Sequence, residues 1–160
     1  MEKKAILAGI SQGDINGIGY EVIIKALNDQ MINEICTPVV YGSPKVAAYH
    51  RKALNINNFS FNNIRTPDEA HAKKANMINC LDDNVRVELG KSTPQGGEAA
   101  VISIEKAVDD LLKNKIDVLI TAPIDKHNAQ AANFQFNGHT DYLKSYLNGN
   151  IDFYLFSSCL

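Results

Sequence analysis

Apolar and polar positions follow two periods along this chain, and the switches between them mark strands and helices in turn. Lys4 to Ile10 is a short apolar run that reads as a strand. Gly17 to Leu27 follows with Val22, Ile23, Ala26 and Leu27 on one helical stripe. The run CTPVVYG, from Cys36, predicts a second strand. Ser43 then caps a helix with Pro44 in its first position, running to about Leu54. Phe59 to Ile64 alternates as a strand does. Thr66 to Lys74 reads as a turn or short helix, and MINCL (77–81) and VRVEL (85–89) read as short strands.

Gly96-Gly97 ends a loop in this reading. The clearest helix follows it, with Ala100, Val101, Ile104, Ala107, Val108, Leu111 and Leu112 at i, i+3, i+4, i+7 spacing. IDVLIT, from Ile116, is near-continuously apolar and rich in β-branched residues, which suits a strand buried on both faces of a parallel sheet. Proline ends it at Ala122-Pro123. A short helical stretch comes next, then a helix from near Thr140 carrying Tyr142, Leu143, Tyr146 and Leu147. IDFYLFSSCL (151–160) reads as a last strand.

Strands alternating with helices imply an α/β fold, a mostly parallel sheet flanked by helices with right-handed crossovers. Residues 1–160 read as one α/β portion. With no helix to close the last strand, Leu160 is expected to be a cut rather than a natural terminus.

Composition narrows the function classes. The chain is 45% hydrophobic and 21% charged with a net charge of −2, ordinary for a globular protein and without an electrostatic case for nucleic acid or anionic membrane as partner. No apolar run approaches the roughly 20 residues that span a bilayer. MEKKAILAGI reads as a first strand rather than a signal peptide. Cys36, Cys80 and Cys159 are odd in number and far apart, which argues for buried thiols in a reducing cytoplasm rather than disulfides or structural zinc.

Candidate chemistry gathers where strands end. SQGDINGIGYE (11–21) lies between a strand and a helix; its glycines permit a tight turn, and its spacing is not a dinucleotide fingerprint. On residues alone, Asp14 reads as a helix cap. Lys126 follows a buried strand and a proline turn, where its ammonium suits a phosphate or carboxylate; paired with Asp125, or with nothing, it would be a solvated lysine. His139 stands in Asn137-Gly138-His139-Thr140-Asp141, where imidazole can donate to a substrate oxygen, move a proton or bind metal. The plainer alternative is a surface histidine before a helix capped by Thr140 or Asp141. His50, His71 and His127 lie apart with no metal-site spacing, and Gly90-Lys91-Ser92-Thr93 is a loop rather than a P-loop.

Together these motifs resemble the 4-hydroxythreonine-4-phosphate dehydrogenase family, the PdxA type, in three blocks in the right order. SQGDINGIGYE is similar to the family's GDPAGIGPE block. GKSTPQGGEAAVISIEKAVDDL resembles its loop-plus-helix, and DVLITAPIDKHNAQAANFQFNGHTDYL its Thr-Gly/Ala-Pro-Ile-Asn-Lys block running into Gly-His-Thr-Glu. Departures are Ile15-Asn16 for Pro-Ala, Tyr20 for proline, Asp125 for asparagine and Asp141 for glutamate.

The resemblance implies a fold like that of the isocitrate and isopropylmalate dehydrogenases, here its N-terminal portion only. It also implies a cytoplasmic homodimer and NAD- or NADP-dependent oxidation, with decarboxylation, of 4-phosphohydroxythreonine in pyridoxal 5'-phosphate synthesis. His139 and Thr140 correspond to the family's substrate-binding pair, and Asp14 and Lys126 to residues lining the site. A divalent metal (zinc, magnesium or cobalt) on three histidines and the nucleotide site would lie beyond Leu160, so these residues alone are expected to be inactive. Two alternatives stand beside this: a dehydrogenase of a phosphorylated sugar acid such as 4-phospho-threonate or erythronate, and a non-catalytic α/β module holding a small anion between Gly13-Asp14 and Lys126.

Overall fold

The computed structural model describes residues 5–132 and 134–147. The strand expected over 151–160, and Cys159 with it, lie outside the described residues.

Among the described residues, five strands form one sheet. They are β1 (Ile6–Ser11), β2 (Cys36–Gly42), β3 (Asn62–Ile64), β4 (Asn76–Asn79) and β5 (Val118–Thr121). Their order is β3-β4-β2-β1-β5, and every neighbouring pair is parallel. Helices α1 (Gly19–Leu27), α2 (Ile32–Ile35), α3 (Pro44–Ala53), α4 (Pro94–Leu112), α5 (Lys126–Ala131) and α6 (His139–Tyr146) complete it. The α/β class is as the alternation predicts, with the sheet parallel throughout.

The two-residue period of β2 sorts its side chains to opposite faces. Val40 joins Ile10, Met77 and the buried residues of α1 and α3 in one core. Val39 and Tyr41 join Ile78, Ile116 and Ala107 of α4 in another. A third cluster packs α4 through Ile104 and Val108 against Ala129, Phe134 and Tyr142, and so fixes α5 and α6 to the same side.

Several elements form for the reasons foreseen. β2 occupies the predicted run, and the Ser43 side chain accepts from Val46 N with Pro44 beginning α3. Others differ. The buried face of α1 is Tyr20, Ile23, Ile24 and Leu27, while Val22 and Ala26 are exposed, because Tyr20 turns inward and rotates the stripe. VRVEL forms no strand: its amides bond to distant side chains, Arg86 N to Gln95 and Glu88 N to Asn16, so it has no ladder to join. Gly96 and Gly97 lie inside α4, not before it, since Thr93 accepts from Gly96 N as its cap and Pro94 opens it. β5 is the sheet's edge among the described residues, with Val118 43% and Ile120 51% exposed, rather than buried on both faces. Cys36 and Cys80 are free thiols, half-buried rather than buried.

Candidate functional site

The path of the chain across the sheet decides where a site can lie. From β1 it moves outward through β2 to β3 at the far edge, steps back to β4, and returns through α4 to β5 on the other side of β1. In parallel α/β sheets the carboxyl ends of such neighbouring strands are where a ligand crevice is expected. Gly13-Asp14 leaves β1 and Pro123–Lys126 leaves β5. Asp14 N donates to Pro123 O at 2.9 Å and joins the two.

Close packing shapes this junction. Gly13 has φ +70°, and a Cβ there would lie 2.2 Å from Pro123 O; one on Gly19 would lie 2.4 Å from Gln12 O. The spacing of these glycines thus serves the turn itself. α4 presses in from the side: a Cβ on Gly96 would meet Asp14 Oδ1 at 2.6 Å, and one on Gly97 would meet Asn128 O of α5 at 2.2 Å. The first turn of α4 thus lies against the Asp14 carboxylate, with Gly96 N and Gly97 N already bonded to Thr93.

Asp14 is 8% exposed, and its Oδ1 accepts from Asn16 N at 2.9 Å. It bonds within its own turn; the residue preceding α1 is Ile18, which offers no side-chain cap. Burial raises the Asp14 carboxyl above the ordinary aspartate range. The Asn16 amide opposes that rise, and the charge of Asp125 adds to it. Asn16 extends the lattice, its Nδ2 donating to Thr93 Oγ1 at 2.8 Å and its Oδ1 accepting from Glu88 N at 2.7 Å.

Asp125 caps α5, accepting from His127 N and Asn128 N, and Ser92 Oγ donates to its Oδ2 at 2.7 Å. The Ser92 bond, with the two amides, holds its carboxyl below the ordinary range. Asp125 is thus spent on the loop and the cap, and among the described residues Lys126 forms no ion pair. Lys126 is exposed, and its side chain runs past Gly138, where an added Cβ would lie 3.5 Å from Cε and 3.9 Å from Nζ.

Gly138, at φ +155°, precedes α6, which has no side-chain cap from Thr140 or Asp141. His139 is half-buried, and its Nε2 is a buried ring nitrogen with no hydrogen-bond partner among the described residues. Burial, and then the nearby Lys126 charge, depress its pKa, so the ring is neutral near pH 7. A buried unpartnered nitrogen beside an exposed ammonium is costly until something bonds to it. Thr140 is exposed on the same turn.

The four residues expected from sequence fall into two adjoining groups. Lys126, His139 and Thr140 cluster around Gly138; Asp14 lies on the β1 side, where the charges acting on it are Asp125 and His50. Sequence reasoning missed Asn16, Ser92, Thr93 and Asn128, which tie these groups together. Only the density of polar residues near the two strand ends could have signalled them. Two cavities lie elsewhere, one of about 110 Å³ beside α3 and one of about 200 Å³ between Leu81–Val85 and α4.

Among the described residues, no group of three or more His, Cys, Asp or Glu side chains could hold a metal ion. No described helix is long and apolar enough to cross a membrane.

Comparison with known proteins places this architecture. Residues 34–158 match the family model of the pyridoxal phosphate biosynthetic protein PdxA. The chain is 51% identical over 152 residues to a 4-hydroxythreonine-4-phosphate dehydrogenase of Bacteroides thetaiotaomicron, a match covering 94% of this chain and 41% of that protein. It is 34% identical over 144 residues to a D-threonate 4-phosphate dehydrogenase of Cupriavidus necator, covering 88% and 42%. A crystal structure of a 4-hydroxythreonine-4-phosphate dehydrogenase from Burkholderia phymatum superposes with a TM-score of 0.81 at 25% identity, over 91% of this chain and 44% of that one. The chain thus spans about two fifths of the length of these curated relatives. With the family model covering most of its residues, this chain belongs to the PdxA family.

Proposed function

We propose that the whole protein is an oxidoreductase acting on a small phosphorylated alcohol, 4-phosphohydroxythreonine, with NAD or NADP as hydride acceptor, in pyridoxal 5'-phosphate synthesis. The observation that carries this reading is the buried His139 Nε2, without a hydrogen-bond partner among the described residues, beside Lys126 just past the end of β5. The 51% identical relative, named for this activity, supports the choice of substrate.

In this reading the Lys126 ammonium meets the anionic end of the substrate as a point charge. The neutral His139 ring bonds a substrate oxygen through Nε2, donating or accepting according to its tautomer. The Thr140 hydroxyl adds a second contact from the same turn, and Asp14 lines the β1 side. Fixing the substrate between two rigid connections removes the orientational freedom that otherwise opposes reaction. A nicotinamide cofactor, a divalent metal and a second subunit belong to the remainder of the protein in this proposal, as does a cytoplasmic location.

Steady-state reduction of NAD and NADP by the intact protein tests it. Turnover is expected with 4-phosphohydroxythreonine, and His139→Ala or Lys126→Met is expected to lower kcat/KM about tenfold to a hundredfold, the loss that follows removal of one charge-assisted or buried hydrogen bond. Undiminished turnover in both variants would sink the assignment of these residues. Preference for 4-phospho-D-threonate would instead favour the second reading, which the 34% identical relative supports.

A further inference from the structure

His50 is buried at 4% exposure on α3, far in sequence from the crevice, yet it reaches the turn that carries Asp14. Its Nε2 lies 2.7 Å from Ile15 O, the peptide between Asp14 and Asn16. A carbonyl oxygen can only accept, so Nε2 must be the donor and carry a proton. The ring stacks on Tyr20, with centroids 5.2 Å apart and planes at 28°. The Tyr20 hydroxyl donates to Gln12 Oε1 at 2.6 Å and accepts from Ser43 N, at the start of α3, at 2.8 Å. Tyr20 and His50 therefore clamp the connection leaving β1 onto α3 at two points.

What the clamp holds is specific. On either side of Ile15, Asp14 presents its carboxylate to Asn16 N, and Asn16 bonds Thr93 and Glu88 through its side chain. If the Ile15 carbonyl swings away, both neighbours must move. We propose that His50 is a positioning residue, acting through Ile15 O to hold the Asp14 turn at the β1 side of the substrate crevice. The functional half of this inference rests on the substrate reading given above. Burial lowers the imidazole's pKa and favours the neutral ring, the Ile15 bond opposing that shift.

The test uses the intact protein with His50→Leu and His50→Gln, the second able to donate an N–H to Ile15 O. Hydrogen exchange of the amides of Asn16 and Gly17 is read without ligand, and affinity for 4-phosphohydroxythreonine separately. His50→Leu is expected to speed exchange in this turn about tenfold, the factor given by losing one hydrogen bond of ordinary net strength, while β2 and α4 exchange as before. Affinity should fall with it, and His50→Gln should restore both.

Unchanged exchange in the turn, an increase spread evenly over the whole protein, or failure of His50→Gln to restore local protection would overturn the proposal. Absence of binding by the unaltered protein would refute the substrate reading while leaving the exchange result to judge the clamp. If His50→Leu does not fold, ¹⁵N NMR of the unaltered protein decides: a neutral ring with its proton on Nε2 is expected, and a proton on Nδ1 alone contradicts it.

Discussion

Replacing Gly97 by alanine sets two effects of known sign against each other. Gly97 lies in the first turns of α4, where alanine favours the helix over glycine by about 1 kcal/mol. Against that, the new methyl would lie 2.2 Å from Asn128 O, 2.3 Å from its carbonyl carbon and 2.8 Å from its Cβ. Backbone cannot rotate out of the way, so α5 must retreat by about 1 Å to reach ordinary contact. Overpacking of this kind costs about 1–3 kcal/mol, and a clash with backbone belongs at the upper end. The steric term wins, leaving a net loss of about 2 kcal/mol. Urea denaturation of the intact protein checks it, the midpoint falling while the slope stays constant. Because α5 begins at Lys126, substrate affinity should drop in parallel. A variant as stable as the parent, or more so, would show that helix propensity decides and that α4 and α5 meet less tightly than drawn.

Other perturbations follow from the same geometry. Burial raises the Asp14 carboxyl, so its ionised form burdens the fold as pH rises through that raised value. Asp14→Asn, which keeps an acceptor for Asn16 N, should therefore stabilise the protein at pH 7 while weakening substrate binding. The stability gap should close as pH falls through the ordinary aspartate range; an Asp14→Asn protein less stable at pH 7 would contradict this. Asp125, held below that range by Ser92 and the α5 amides, works oppositely: its contribution is present at neutral pH and lost as pH falls through its folded value, so Asp125→Asn should destabilise at pH 7. Asn76 is fully buried; its side chain accepts from Asn62 and His71 and donates to the carbonyls of Pro38, His71 and Lys74. Asn76→Ala should cost about 3 kcal/mol in a denaturation series, because the buried side chain and all of these hydrogen bonds are lost together.

How far the sequence disclosed this molecule depends on whether a signal was local. β2 and the start of α3 could be read directly, since a continuous apolar run, a glycine, a serine cap and a proline act within a few residues of one another. Hydrophobic period alone could not orient α1: Tyr20 counts as half-polar, yet its hydroxyl is satisfied inside by Gln12 and Ser43. VRVEL has the alternation of a strand, but strandhood needs a neighbour, and Asn16 and Gln95 supply its amides instead. Gly96-Gly97 looked like a break because propensity disfavours glycine in helices; the reason for them is contact with Asp14 and Asn128, far off in sequence. At the proposed site, Lys126 and His139 were singled out from their motifs. The dependence of the Asp14 turn on His50, 35 residues after Ile15, was not.

The most direct test is a crystal structure of the intact protein with 4-phosphohydroxythreonine bound. A substrate oxygen is expected about 2.6–3.2 Å from His139 Nε2, with the phosphate or carboxylate near Lys126 Nζ. Substrate bound elsewhere, with His139 Nε2 still buried and without a partner, would contradict the account.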